Sequence, residues 1–263
     1  MRIASERKAL ITGGGSGFGR LIAHRLHDSG ARVAVADIDA GSARATAAEL
    51  GDGALGLAAD VRSASDMARV VHEAQTAFGG LDTLVVSAGV FHIGTLEETS
   101  EADWDRTVDV NLKGAFITIR AAAAPLRASG RGRIVTIGSD CGRRGFPGQV
   151  PYTASKFGLI GVTESVAAEL APDGVTANCV CPVGCPTTGM GREVLDWKVS
   201  HAGKSPDEIV RAAARTNPLG RNATEDDVAD AVLFFLSDQA GFLTGVTLDV
   251  DGGARLGTVP GVR

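Results

Sequence analysis

The chain has 263 residues, 22% charged and 44% hydrophobic, with a formal net charge of −5. That length suits one large α/β domain spanning 1–263, with a sizeable core. The acidic balance excludes a bulk electrostatic pull toward nucleic acid or an anionic membrane, and apolar runs such as Leu84–Val86 and Val232–Leu236 are far too short to span a bilayer.

The opening stretch Met1–Lys8 holds no apolar signal region, which favours the cytoplasm. A strand is expected at Ala9–Thr12, followed by Thr12-Gly-Gly-Gly-Ser-Gly-Phe-Gly19 and a helix over Gly17–Ser29. Glycines 13, 17 and 19 let the backbone turn tightly and approach a phosphate. The loop residues Gly13, Ser16, Gly17, Phe18 and Gly19 then present a helix N-terminus to a dinucleotide pyrophosphate. A glycine run also marks ordinary turns, so its place between strand and helix carries the reading. The second strand, Arg32–Ala36, ends at Asp37, 18 residues after Gly19. Asp37 either grips the ribose hydroxyls of NAD, repelling the 2′-phosphate of NADP, or caps the next helix. Ser16 brings no positive charge to offset that repulsion. After a helix at Ala40–Leu50 and a strand at Ala54–Ala58, Asp60 and Val61 either hold an adenine edge or are a plain strand end. A helix at Ala64–Phe78 and a strand at Thr83–Ser87 follow, then Ala88 and Gly89, which allow close backbone approach.

One long helix is expected at Glu101–Ala128, carrying Asn111, and a strand at Arg133–Gly138, followed directly by Ser139. Next comes Tyr152-Thr-Ala-Ser-Lys156, with a helix over Thr153–Leu170. The i, i+4 spacing puts the phenol and the amine on one face, where an ammonium would favour the phenolate. Such a tyrosine exchanges a proton with an alcohol while hydride moves to or from nicotinamide. Ser139 would orient the reacting oxygen, and Asn111 would hold a water or fix a helix bend. Singly, each has a plainer alternative: local turn bonding for Ser139 and Asn111, an exposed helix pair for Tyr152 and Lys156.

A strand at Thr176–Cys181 leads into an irregular stretch, Pro182–Arg221, with short helices near Arg192–Ser200 and Pro206–Thr216. Its position beyond a strand end suits a substrate lid, at about 186–221. A helix at Glu225–Leu236 and a strand at Val246–Val250 complete the pattern. Strict alternation of strand and helix implies a doubly wound, seven-stranded, mainly parallel α/β sheet with helices on both faces. Cys179, Cys181 and Cys185 lack zinc-pair spacing and, with Cys141, read as reduced thiols; no metal is expected.

The set Thr12-Gly-x3-Gly17-x-Gly19, Asp60, Asn111, Ser139, Tyr152-x3-Lys156, Asn178 and Pro182 resembles the short-chain dehydrogenase/reductase family over essentially the whole chain. The resemblance implies a Rossmann-type fold and a catalytic set of Asn111, Ser139, Tyr152 and Lys156. It also implies that Tyr152 and Lys156 meet the nicotinamide ribose, that Pro182, Gly184, Cys185 and Thr187 line the nicotinamide end, and that the chain forms a homotetramer or dimer through the helices at Glu101–Ala128 and Thr153–Leu170. Two departures stand out: Val86-Ser-Ala-Gly89 where the family has Asn-Asn-Ala-Gly, and Pro182-Val-Gly184 in place of Pro-Gly.

Substrate-side candidates are Cys141, Arg143, Gln149, Met190 and Trp197, with Gly89–His92 beside them. The cations in this region suit either an anionic or hydroxylated substrate or a solvated surface. The function implied is NAD-dependent interconversion of a secondary alcohol, on a sugar, sugar acid or polyol, with its ketone. The alternatives are an NADPH-dependent reductase of 3-oxoacyl thioesters on an acyl carrier protein and a non-catalytic NAD-sensing protein.

Overall fold

The computed structural model describes residues 7–256, so the first six residues of the opening stretch, where a targeting segment would stand, lie outside the described residues. Seven strands form one sheet: β1 (Lys8–Thr12), β2 (Arg32–Asp37), β3 (Leu55–Ala58), β4 (Thr83–Val86), β5 (Arg133–Ile137), β6 (Thr176–Pro182) and β7 (Thr247–Val250). Every pairing is parallel, and the order is β3-β2-β1-β4-β5-β6-β7. The order reverses between β1 and β4, where Thr12 pairs with Val86, which opens a crevice at the strand C-termini.

The helices are α1 (Gly17–Asp28), α2 (Ala40–Leu50), α3 (Ala64–Phe78), α4 (Glu101–Val108), α5 (Gly114–Ala128), α6 (Val150–Leu170), α7 (Gly189–Ala202), α8 (Pro206–Thr216) and α9 (Glu225–Leu236). Alternate strand residues feed two apolar layers. Leu10, Leu84 and Ile134 pack with α3, α5 and α6, whereas Ile11, Val85 and Val135 pack with α1 and α9. This period of two explains why the strands look apolar on both faces.

Helix starts follow local cap chemistry. Ser63 accepts from Asp66 N–H, and Ser100, Ser205 and Thr224 each close a reciprocal box with the acid three residues on. The expected single helix from Glu101 to Ala128 is interrupted by a π turn at Asp109–Lys113 between α4 and α5. The Asn111 side chain reaches sideways to Val90 there, and the turn makes that reach. Helix α6 starts three residues earlier than expected, with Pro151 in its first turn, so Tyr152 lies inside the helix. Helix α7 is longer than the expected Arg192–Ser200, because Thr188 caps it by accepting from Gly191 N–H at 2.9 Å.

Gly19 holds α1 against the loop after β1. A Cβ there would lie 2.2 Å from the Gly13 carbonyl oxygen, a backbone atom that cannot rotate away. Gly19→Ala is therefore expected to cost about 1–3 kcal/mol or more, as a forced overpacking does. The urea midpoint checks this; an unchanged midpoint would mean that α1 shifts freely.

Candidate active site

The dinucleotide end is built from β1, α1 and β2. A Cβ on Gly13 would meet the Ala88 backbone at 2.7 Å, and Gly13 has φ +66°, so two chain segments touch at the crevice floor. A Cβ on Gly17 would meet nothing within 4 Å, so the loop is open above the start of α1. Ser16, the N-cap of α1, is exposed and makes no side-chain cap bond, which leaves the first-turn amides free of a protein acceptor from that side chain.

Asp37 does not cap α2; Asp39 does, accepting from Gly41 N–H at 2.8 Å. The Asp37 carboxylate instead accepts from Gly15 N–H and Asp39 N–H, both at 3.0 Å, which aims it beside the glycine loop. Arg20, on the exposed side of α1, is bound to Glu49 at 2.7 Å. Asp60 lies two residues beyond the end of β3 and carries a forked contact from Arg62, with a shortest distance of 2.6 Å. Arg62 holds this carboxylate below the usual range. Val61 sits against Gly114, where a Cβ would come within 2.7 Å of its Cγ2. These residues fit an adenine dinucleotide: a glycine loop with no room for side chains at Gly13, Gly14 and Gly19, an open helix N-terminus and an oriented acid at the end of β2.

The reacting end gathers four expected residues. Tyr152 and Lys156 are buried, 6% and 5% exposed, which rules out an exposed helix pair. Lys156 Nζ donates to the Ile137 carbonyl at 2.8 Å and lies 5.6 Å from the centre of the Tyr152 ring. It also lies 3.8 Å from where a Gly89 Cβ would stand, so the amine borders the crevice floor. Burial lowers the lysine's pKa, against the pull of the nearby Cys179, Cys181 and Cys141 thiols.

The expected lowering of the Tyr152 pKa by this ammonium is not what the structure gives. Burial pushes the phenol above its ordinary range, and the Ser139 hydroxyl pulls it back only in part. The amine's contact to the Ile137 carbonyl and its distance from the ring explain the difference. Phe91 packs edge-on against Tyr152 with ring centres 4.7 Å apart, and the phenol donates to Met190 Sδ at 3.8 Å.

Asn111 is fully engaged: Oδ1 accepts from Val90 N–H at 2.8 Å, and Nδ2 donates to Val90 O and Ser155 Oγ. Ser139 is buried at the end of β5, donates to Asp140 Oδ1 at 3.0 Å and accepts from Cys141 N–H at 3.1 Å.

The substrate-side candidates divide. The Cys141 thiol is pushed up to about 12 by burial, and it donates to Gln149 Oε1 at 2.9 Å. Met190 faces the phenol, as above. Arg143 is half-buried and its Nε faces Asp249 at 3.1 Å, while Arg255 pairs with the other oxygen of that carboxylate. Its Nε–Oδ1 contact meets the ion-pair distance but not hydrogen-bond geometry, so the attraction is that of charges. Trp197 stacks on His201 of its own helix, 4.1 Å between ring centres. Thr187 donates to Glu225 Oε1 at 3.4 Å, and its hydroxyl lies 3.3 Å from the buried Cys185 thiol. Pro182 is the last residue of β6, and Gly184 is exposed in the loop after it. All four cysteines are free and buried.

Sequence reasoning missed Asp140 and Asp249. Asp140 was visible as the neighbour of Ser139, but Asp249, on β7, has no local signal linking it to Arg143.

Residues 13–255 match the family model described as Enoyl-(Acyl carrier protein) reductase. The chain is 39% identical over 246 residues to 2-(S)-hydroxypropyl-CoM dehydrogenase 3 of Xanthobacter autotrophicus, covering 92% of this chain and 94% of that one. It is 39% identical over 257 residues to the (3R)-3-hydroxyacyl-CoA dehydrogenase of Mus musculus, with 93% and 95% covered. Among solved structures, sorbitol-6-phosphate 2-dehydrogenase SrlD from Erwinia amylovora superposes with a TM-score of 0.90 at 30% identity, covering 94% and 98%. The dehydrogenase names of these relatives accord with a fold that places a phenol, an amine and a hydroxyl at the mouth of a dinucleotide crevice. The chain is an alcohol dehydrogenase of the short-chain type and belongs to the short-chain dehydrogenase/reductase family.

Proposed function

We propose that the protein interconverts a secondary alcohol and a ketone with NAD, using Tyr152 as the general acid and base. The observation that carries this is the buried cluster of Tyr152, Lys156 and Ser139 beside the glycine cradle, with Asp37 held at the end of β2. A bound nicotinamide dinucleotide supplies the hydride acceptor or donor. The first turn of α1 would hold its pyrophosphate, Asp37 its adenosine ribose, Asp60 and Val61 its adenine edge. Ala88, Gly89, Pro182, Gly184, Cys185 and Thr187 would line the nicotinamide end. Tyr152 Oη takes the hydroxyl proton of the alcohol, or gives it to the ketone. Lys156, anchored by Ile137, has further N–H groups for a ribose hydroxyl and for the phenolate charge. Phe91 and Met190 flank the phenol and exclude water, and the segment 186–221 closes over the site.

The substrate class that we infer is a secondary alcohol on a sugar, sugar acid or polyol, in keeping with the name of the SrlD structure. A 3-hydroxyacyl thioester is the second reading, favoured by the mouse relative's name. Asp37 then argues for NAD rather than NADPH as its cofactor. An NAD sensor without turnover has no need of the buried, connected set.

The test is a panel of secondary alcohols, polyols, sugar acids and 3-hydroxyacyl thioesters, read by NAD reduction. Oxidation requires the phenolate, and burial holds Tyr152 protonated. Oxidation is therefore expected to rise about tenfold per pH unit toward alkaline pH, while ketone reduction, served by the phenol, stays level until the phenol ionises. An inactive panel, or oxidation fastest on the acid side, overturns the reading.

A further inference from the structure

The Ser139 hydroxyl has one proton to donate and two lone pairs that accept. Its proton goes to Asp140 Oδ1 at 3.0 Å, and the Cys141 N–H occupies one lone pair at 3.1 Å. A single lone pair remains. In this arrangement Ser139 meets the reacting oxygen as an acceptor, which suits an alcohol hydroxyl and leaves a ketone with one donor fewer.

We propose that Asp140 is a positioning residue: ionised, it holds the Ser139 proton, and protonated, it releases that proton toward the oxygen of Tyr152 or of the substrate. Ser139 thus favours the alcohol in the first state and the ketone in the second. This rests on the reading of Tyr152 and Ser139 given above.

The surroundings make the two states accessible. Asp140 is half-buried, and burial raises its carboxyl above the usual range, against the Ser139 hydroxyl and the Arg144 guanidinium. Arg144 and Cys141 act on it from the same loop, and from α6 Tyr152 feels its charge. Lys156 on α6 acts on the adjoining Cys141, and Cys181 on β6 acts on Tyr152. Transition-state stabilisation is shared by the two directions. The equilibrium constant therefore fixes the ratio of their kcat/KM values, and the signature must lie in ground-state affinity.

Tyr152 is the only tyrosine in the chain, so tyrosinate absorbance reports this phenol alone. Asp140→Asn removes the charge and keeps the shape; its Oδ1 holds the Ser139 proton more weakly than a carboxylate does, and its Nδ2–H can donate to Ser139 instead, which releases that proton to the phenolate. Tyr152 is expected to ionise lower by about one pH unit or more, with folding followed by far-UV circular dichroism. On a Ser139→Ala background most of that shift should vanish. With ethyl 3-hydroxybutanoate and ethyl acetoacetate as the probe pair, Asp140→Asn should raise KM for the alcohol and lower it for the ketone by up to about tenfold. Asp140→Ser serves if the Asn variant fails to fold.

An unchanged tyrosinate midpoint overturns the proposal. So does a full shift on the Ser139→Ala background, which would mean that the carboxylate acts directly by charge. An inactive wild-type protein across the alcohol panel would sink the proposed function alone, because the titration still decides the role of Asp140.

Discussion

Tyr152→Phe is expected to lower the rate of alcohol oxidation by about 10²–10⁴-fold, the usual worth of a positioned acid or base. The ring is kept, so its edge contact with Phe91 and its place beside Lys156 persist. The lost hydroxyl donates to Met190 Sδ, a weak acceptor that the protein leaves unpaired at little cost, and its interaction with the Ser139 hydroxyl is lost with it. Stability and dinucleotide affinity should therefore stay near the wild-type values while turnover falls. Single-turnover kinetics and a fluorescence titration with NADH separate the two quantities. Surviving activity would remove Tyr152 from the chemistry. A loss of dinucleotide affinity matching the loss of rate would make it a structural residue.

Asp37→Ser is expected to lower the preference for NAD over NADP, taken as the ratio of kcat/KM values, by about 10²-fold. Two backbone N–H groups hold the carboxylate in place, and one belongs to Gly15 inside the glycine loop. A phosphate on the adenosine ribose would meet that fixed negative charge. Two cations at this end are already paired, Arg20 with Glu49 and Arg62 with Asp60. Serine removes the charge and keeps a group able to bond a ribose hydroxyl. The change should show as a gain with NADP along with a loss with NAD. A ratio unmoved by the substitution would show that Asp37 does not face the ribose.

Most element positions are legible in the amino-acid pattern. The bounds of α2, α3, α8 and α9 match it, because caps and breakers adjoin them: Asp39, Ser63, Ser205 and Thr224 at the starts, and glycine after α2 and α3. The π turn is not legible there, since the run from Glu101 to Ala128 keeps a helical pattern throughout. It goes with the Asn111 contact to Val90, 21 positions away, which no local pattern announces. The pattern places the start of α6 too late, because Pro151 is tolerated only as a first-turn residue and otherwise reads as a break.

The candidate site divides in the same way. Its glycine loop, Ser139, and the Tyr152–Lys156 spacing are short-range patterns with a chemical reason in the residues themselves. The electrostatic state of that set is not. The i, i+4 spacing alone suggests a phenol made more acidic by its amine. Packing against Phe91 and Met190 places the phenol where loss of water outweighs that pull. In the sequence Arg143 suits either an anionic substrate or solvated surface, and no local pattern announces the Asp249 carboxylate that its Nε faces across the sheet end.

Sequence by itself determined the alternation of strands and helices, the glycine turn after β1 and the spacing of the side chains proposed to handle the proton, because each depends on neighbours within a few residues. Tertiary structure alone decided which acid after β2 caps α2 and which meets the glycine loop, where the π turn falls, which acceptor the Ser139 hydroxyl faces and which charges are paired. Those outcomes depend on burial and on partners brought together from distant parts of the chain, and a side chain's charge and hydrogen bonds respond to what surrounds it in space.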